Sequence, residues 1–132
     1  MTDNPHYPYL RTVDQAKFDA TPANERISQR LIDEASGATS ARVVYIRTPP
    51  EGGSPNGLHI HAVDQHFYVL SGIMDIEVDG ETFKAPPGSF LYFPAGMPHR
   101  NWNDGDEPTI HLSINAPMLK EGEVMTTSLG ES

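Results

Sequence analysis

The residues of this chain whose types and spacing could do chemistry are histidines, and five of the six lie between positions 59 and 111. His59 and His61 are separated by one residue, so on a β-strand their imidazoles point to the same face, about 6 to 7 Å apart. Two imidazoles at this distance can bind one metal ion. The chain contains no cysteine, which excludes disulfides and thiolate ligands. The pattern therefore indicates a metal site built on imidazoles.

Two further side chains complete this candidate site. Gln65 lies on the same face as the histidine pair if the strand alternation continues, and His99 must return to that face from a later strand. Three imidazoles and one amide oxygen suit Fe, Mn, Ni, Cu, Co or Zn and suit Ca or Mg poorly. Two alternatives stay open. Either Gln65 is no ligand, which leaves a three-histidine site, or a β-bulge turns His66 inward from the opposite face.

His111 belongs to a segment, residues 109–115, in which polar and apolar residues alternate. Because a strand presents alternate residues to opposite faces, His111 shares one face with Thr109, Ser113 and Asn115. In a barrel with an interior metal either face could be the inner one. His111 is therefore either a solvent-exposed side chain, an additional ligand, or the acid or base of a reaction.

The elements that must position these residues are short strands. Eleven glycines and twelve prolines are more than a helical bundle tolerates. Asp79-Gly80 is a hairpin signal, and other turn residues separate the apolar runs. These signals favour an all-β antiparallel sandwich or barrel of the jelly-roll kind. The predicted strands are 41–47, 58–63, 65–70, 73–78, 81–85, 89–93, 99–103 and 109–115.

A length of 132 residues is enough for one domain. Near the N-terminus, Thr21-Pro22 predicts the start of a helix, whereas the alternation of Ile27, Gln29 and Leu31 suits a strand equally well. We leave that choice open. The predicted organisation is an N-terminal arm at 1–40 with a short helix or strand, a barrel at 41–115 and a C-terminal tail at 116–132.

Two spaced motifs resemble those of the cupin family, and nine of their ten positions match. The first motif is Gly53, His59, His61, Gln65 and Gly72, and the second is Gly88, Pro94, Gly96, His99 and Asn103. The departure is Gln65, where the family usually has Glu. The 15 residues between the motifs, 73–87, resemble the compact bacterial form. The resemblance implies a double-stranded β-helix, often a homodimer, in which His59, His61, His99 and the residue at position 65 bind one divalent transition metal.

The resemblance implies several functions. We expect a metal-dependent enzyme that acts on a small organic molecule, first a mononuclear dioxygenase of an enol- or phenol-type substrate. The alternatives are an oxygen-independent isomerase, lyase or polyketide cyclase, and a non-catalytic small-molecule-binding protein. Gln65 cannot act as a general base as a Glu could, and it leaves the full +2 charge of a divalent ion in place. The neutral ligand therefore slightly favours the oxygen-independent chemistry.

Charge and hydropathy exclude other classes of function. The formal net charge is −9 and the isoelectric point is about 4.9, so the protein repels phosphate backbones and anionic membrane surfaces. The chain contains no apolar run near the ~18 residues that a membrane span needs. The first ten residues do not resemble a secretory signal. We therefore expect a cytoplasmic protein that binds neither nucleic acid nor membrane.

Overall fold

A computed structural model describes residues 5–53, 57–120 and 122–129 and places ten strands in two antiparallel five-stranded sheets. The strand order is β1-β2-β9-β4-β7 in the first sheet and β10-β3-β8-β5-β6 in the second. The predicted all-β, antiparallel architecture is confirmed. The strands are β1 Ile27–Ile32, β2 Arg42–Thr48, β3 His59–His61, β4 Asp64–Ser71, β5 Met74–Val78, β6 Glu81–Ala85, β7 Phe90–Phe93, β8 His99–Trp102, β9 Thr109–Ala116 and β10 Thr126–Ser128.

The N-terminal segment contains both a helix and a strand. The helix, α1, covers Gln15–Ala20 and is capped by Asp14, whose side chain accepts a hydrogen bond from the Lys17 N–H. Of the two alternatives left open for the segment after Thr21, the structure has the strand, because Thr21 ends α1 and residues 27–32 form β1 against β2. A 3₁₀ turn follows at Glu34–Ser36. Within the described ranges, no helix is long and apolar enough to cross a membrane.

The hairpin signal at Asp79-Gly80 is confirmed by the backbone. Asp79 and Gly80 have φ angles of 52° and 80°, and they join β5 to β6 with Val78 paired to Glu81. Two consecutive residues with positive φ match the turn whose twist suits a two-residue hairpin. The hairpin fixes the register between β5 and β6. β5 also pairs with β8, where Val78 lies opposite His99, so the hairpin borders a strand that carries a candidate ligand.

The interior of the protein divides into an apolar and a polar part. The apolar core lies on β4 to β7 and consists of Phe67, Val69, Met74, Ile76, Ala85, Leu91 and Phe93. Burial of each large side chain of this kind contributes about 1.5–3 kcal/mol. The polar part includes the inward face of β9, where every second residue is buried. Those residues are Thr109, His111, Ser113 and Asn115.

The strands extend beyond the predicted barrel of residues 41–115 on both sides. β1 adds an edge strand before it, and β10 adds another from the segment predicted as a C-terminal tail. β10 pairs with β3 so that Thr126 lies opposite His61 and Ser128 opposite His59. The last described residues therefore border the strand that carries two of the candidate ligands.

The motif glycines differ in how closely the backbone approaches them. A Cβ added at Gly72 would lie 2.5 Å from the Pro108 carbonyl oxygen and 2.9 Å from the Thr109 Cα, and the φ angle is +76°. Gly88 has a φ angle of +90° but no atom within 4 Å of an added Cβ. Glycine is therefore required at position 72 both by the positive φ angle and by the lack of room for a Cβ atom, whereas at position 88 only the positive φ angle requires it.

This difference predicts unequal effects of two alanine substitutions. Gly88→Ala is expected to lower the free energy of unfolding by about 1–2 kcal/mol through the left-handed backbone alone. Gly72→Ala adds the clash with Pro108 and Thr109 and is expected to lower it by about 1–3 kcal/mol more. Urea denaturation of both variants measures the difference, and equal losses would contradict the close approach at Gly72.

Candidate metal centre

The three histidines of the two motifs converge between the sheets. His59 and His99 lie directly opposite each other on β3 and β8, and His61 lies on the same face of β3. The ring centroids are 4.5 to 4.9 Å apart, and one ligand nitrogen from each ring lies within 4.8 Å of the others. All three side chains are buried. The predicted convergence is confirmed, with the rings closer together than the strand spacing alone indicates.

Backbone carbonyls favour one tautomer in two of these rings. Nδ1 of His59 lies 2.6 Å from the Gly57 carbonyl oxygen, and Nδ1 of His99 lies 2.9 Å from that of Met97. A carbonyl oxygen can only accept a hydrogen bond, so each contact favours the tautomer whose hydrogen is on Nδ1. The lone pair of a neutral ring is then on Nε2, which is the arrangement in which histidine binds a metal.

Gln65 of β4 holds its amide oxygen against the histidines. Its Nε2 donates to Ser113 Oγ at 3.1 Å and to Asn115 Oδ1 at 3.0 Å. Both amide hydrogens are therefore donated to side chains of β9. Its Oε1 lies 3.0 Å from Nε2 of His61 and 3.0 Å from Nε2 of His99. The polar face of β9 thus directs the Gln65 oxygen to the point where the imidazoles meet.

The contact between Gln65 and His99 tests whether these residues fit a metal ion. Burial lowers the pKa of His99 to about 4, so the ring is neutral at pH 7 and carries one hydrogen. Burial also lowers the pKa values of His59 and His61. The single hydrogen of His99 faces two oxygen acceptors, the Met97 carbonyl at Nδ1 and Gln65 Oε1 3.0 Å from Nε2, so one of the two contacts contains no hydrogen. A cation bound by Nε2 and Oε1, with the hydrogen on Nδ1, removes this repulsion, so the donor set fits a metal.

The two other histidines of this region lie elsewhere. His66 is on the opposite face of β4 and stacks on Tyr92, with ring centroids 5.3 Å apart and an angle of 19°. The strand parity predicted for it is confirmed. His111 faces inward with 1% of its surface exposed, so the alternative of a solvent-exposed His111 is wrong. It packs on Phe67 at 4.3 Å and is not part of the cluster formed by the other three.

His111 is a buried imidazole without a polar partner among the described residues. Neither Nδ1 nor Nε2 has a hydrogen bond, and the Oγ1 atoms of Thr48 and Thr109 are equally unpartnered. Burial, to which the charge of Arg26 adds, lowers the pKa of His111 to about 3. A buried polar group without a partner destabilises the folded state by about 1–3 kcal/mol. His111 therefore weakens the fold.

Aromatic rings pack against the candidate ligands from the apolar side. Phe93 stacks on His99 with ring centroids 4.2 Å apart and an angle of 6°, and Phe67 packs edge-on against Phe93 at 5.1 Å. These contacts hold the His99 ring in one plane and exclude water from one side of it.

Sequence reasoning did not assign a role to three residues that contact the ligands. Ser113 and Asn115 orient Gln65, and Thr126 Oγ1 lies 3.1 Å from Nδ1 of His61. The alternation of β9 identified Ser113 and Asn115 as one face with His111, but not which way that face points. Thr126 carries no motif, and its contact spans 65 residues of sequence.

The low pKa of His111 predicts a loss of stability in acid. The pKa of His111 is below the value of about 6.5 expected for the unfolded chain, so the unfolded state takes up the proton first as the pH falls. Proton uptake at His111 therefore leaves the free energy of unfolding unchanged above about pH 6.5 and lowers it progressively between pH 6.5 and pH 3. His111→Leu is expected to raise the free energy of unfolding at pH 7.5 by about 1–3 kcal/mol, because it removes the two unpartnered nitrogens. The His111→Leu variant should also lose less unfolding free energy than the parent protein between pH 7.5 and pH 5.

Urea denaturation of the protein in EDTA at both pH values measures these effects. His6→Leu is the matched control, since it removes a histidine at an exposed position. An unchanged pH dependence in His111→Leu would contradict the assignment of a buried, neutral His111.

Comparisons with known proteins agree with this architecture. Residues 44–115, more than half of the chain, match the cupin domain family. The chain is 39% identical over 72 residues to the polyketide synthase CurC of Streptomyces cyaneus, covering 52% of this chain and 47% of CurC. It is 32% identical over 65 residues to the HTH-type transcriptional regulator YobQ of Bacillus subtilis, covering 49% of this chain and 27% of YobQ. The chain thus spans about half the length of CurC and about a quarter of YobQ.

Solved structures share the same arrangement of strands. The polyketide cyclase RemF of Streptomyces resistomycificus superposes with a TM-score of 0.66 at 26% identity, covering 82% of this chain and 73% of RemF. The DMSP lyase DddQ of Ruegeria pomeroyi superposes with a TM-score of 0.65 at 20% identity, covering 80% of this chain and 54% of DddQ, and at that identity it supports the fold alone. With both histidine motifs on two five-stranded sheets and the family match over residues 44–115, the chain belongs to the cupin family.

Proposed function

We propose that this protein binds one divalent transition metal ion through Nε2 of His59, His61 and His99 and through Oε1 of Gln65. The observation that carries the proposal is that the neutral His99 ring has one hydrogen for two oxygen neighbours, the Met97 carbonyl at Nδ1 and Gln65 Oε1 3.0 Å from Nε2. Three imidazoles and an amide oxygen suit Fe, Mn, Ni, Cu, Co or Zn. The donors are all neutral, so the charge of the bound ion is not offset by its ligands.

This site predicts a graded response of metal affinity to substitution. His99→Ala is expected to abolish binding, and Gln65→Leu to weaken it by at least tenfold, about 1.4 kcal/mol. Gln65→Glu is expected to strengthen it, because a carboxylate adds a negative charge to a neutral donor set. His66→Ala is the matched control, since this neighbouring histidine faces away from the site.

Isothermal titration with Zn²⁺ and elemental analysis of protein purified without added metal measure these effects. About one equivalent of metal is expected in the parent protein. Equal affinity of His99→Ala and the parent protein would contradict the assignment of the ligands.

We further propose that the protein is an enzyme acting on a small organic molecule that presents an enol, enolate or phenolate oxygen to the site. A divalent ion with neutral ligands supplies Lewis acidity that stabilises an anionic oxygen. Gln65 cannot take up a proton, and its amide hydrogens are held by Ser113 and Asn115. The base must therefore come from the substrate, from a bound hydroxide or from another residue; the low pKa and full burial of His111 argue against that residue.

Oxygen-independent ring closure, isomerisation or lyase chemistry is the form of the reaction that we favour. The neutral donor set supports it, and so does the similarity to a polyketide synthase and a polyketide cyclase, CurC and RemF. Two other functions each have one supporting observation. The three-histidine cluster supports a dioxygenase of an enol- or phenol-type substrate, and the similarity to YobQ supports a non-catalytic, ligand-binding role.

The dependence of turnover on oxygen separates these functions. Metal-loaded protein is mixed with linear polyketide analogues, 1,3-diketones, flavonols and catechols, with and without O₂, and substrate loss is followed by chromatography. We expect turnover at the same rate in both atmospheres, and none in His99→Ala. Turnover that requires O₂ and consumes it would identify a dioxygenase, whereas binding without turnover would support the ligand-binding role.

The assembly expected from the family resemblance is a homodimer. The outer face of β4 and β7 supports this proposal, because it leaves four large apolar side chains exposed. They are Tyr68, Leu70, Phe90 and Tyr92. Surface of this kind on adjacent strands is typical of an interface between subunits.

A further inference from the structure

We propose that Thr126, in the C-terminal strand β10, is a positioning residue of the metal centre that orients the ring of His61 and accepts its Nδ1 hydrogen when Nε2 binds the ion. The inference rests on the proposed metal site, and it assigns to that site a residue outside both histidine motifs. Thr126 Oγ1 lies 3.1 Å from Nδ1 of His61, the nitrogen that does not face the other ligands.

His61 differs from the other two histidines in what orients it. His59 and His99 each donate from Nδ1 to a carbonyl oxygen two residues earlier in their own chain segment. The groups that bond to His61 outside the ligand cluster instead come from the C-terminal segment: the Thr126 hydroxyl, 65 residues away, at Nδ1 and the backbone of Met125. Two ligands are thus oriented locally, and the third depends on the pairing of β10 with β3.

The backbone around Thr126 holds its hydroxyl in place. Thr126 is paired directly with His61, and main-chain hydrogen bonds join Ala62 N to Met125 O at 2.9 Å and Leu129 N to Leu58 O at 2.8 Å. Thr126 is therefore fixed at both ends of a three-residue strand, and its side chain lies on the same face of the sheet as that of His61.

The role of the hydroxyl follows from the tautomer that a metal ion requires. An ion on Nε2 of His61 requires the ring hydrogen on Nδ1, where the Thr126 hydroxyl accepts it. In the metal-free protein the hydrogen can instead lie on Nε2 and bond to Gln65 Oε1, 3.0 Å away, because a hydroxyl at Nδ1 can donate as well as accept. A bound cation polarises the ring and strengthens the hydrogen bond from Nδ1 to the hydroxyl. Removal of the hydroxyl therefore lowers the affinity for the ion.

The experiment compares Thr126→Val, Thr126→Ser and Thr127→Val in the full chain. Thr127 is the matched control, because it is exposed, lies in the same strand and pairs with Ile60 instead of His61. Titration with Co²⁺ gives the affinity, the visible spectrum of bound Co²⁺ reports the ligand set, and thermal denaturation in EDTA reports the stability of the metal-free fold.

We expect Thr126→Val to lower the Co²⁺ affinity about 10- to 100-fold and to alter the visible spectrum. Thr126→Ser is expected to restore both, and Thr127→Val to leave both unchanged. If the parent protein binds no Co²⁺, the proposed metal site itself is wrong. If the parent protein binds Co²⁺ and Thr126→Val binds it equally well, the site stands and the positioning role is wrong. An equal loss of Co²⁺ affinity in Thr126→Val and Thr127→Val would also overturn the positioning role, since the effect would then come from the stability of β10.

Discussion

The orientation of the Gln65 amide is the constraint on which the rest of the site depends. Its two hydrogens are donated to Ser113 and Asn115, so its oxygen has one direction left, towards the imidazoles. A buried amide without partners would destabilise the fold by about 1–3 kcal/mol, so this hydrogen bonding is needed for stability as well as for the site. The amide comes from the first sheet and the three imidazoles from the second, so the site forms only when the two sheets pack together.

The same packing sets the chemistry of the histidines. Burial between the sheets lowers the pKa values of His59, His61 and His99, and this keeps the three rings neutral near pH 7, each with one lone pair available to a metal. The apolar core contributes through Phe93, which stacks on the His99 ring. The two parts of the interior thus act on the candidate ligands in different ways, because the apolar part desolvates them and the polar part orients them.

Much of the fold and the ligand set could be predicted from local patterns. Alternation placed His59, His61 and Gln65 on one inner face and His66 on the other, and turn residues marked the strand ends. Tertiary contacts decided what local patterns left open. Residues 27–32 form a strand because β2 offers an edge to pair with, and the polar face of β9 points inward because it holds Gln65. The role of Thr126 could not be predicted, since it arises from a pairing between distant segments.

The central claim is that three imidazoles and the Gln65 amide oxygen bind a single ion. X-ray absorption spectroscopy of the zinc-loaded protein tests this most directly, because imidazole rings give a characteristic multiple-scattering signal. We expect one zinc per chain with three imidazole nitrogens at about 2.0–2.1 Å and the remaining ligands oxygen. A spectrum with two or fewer imidazoles would contradict the claim.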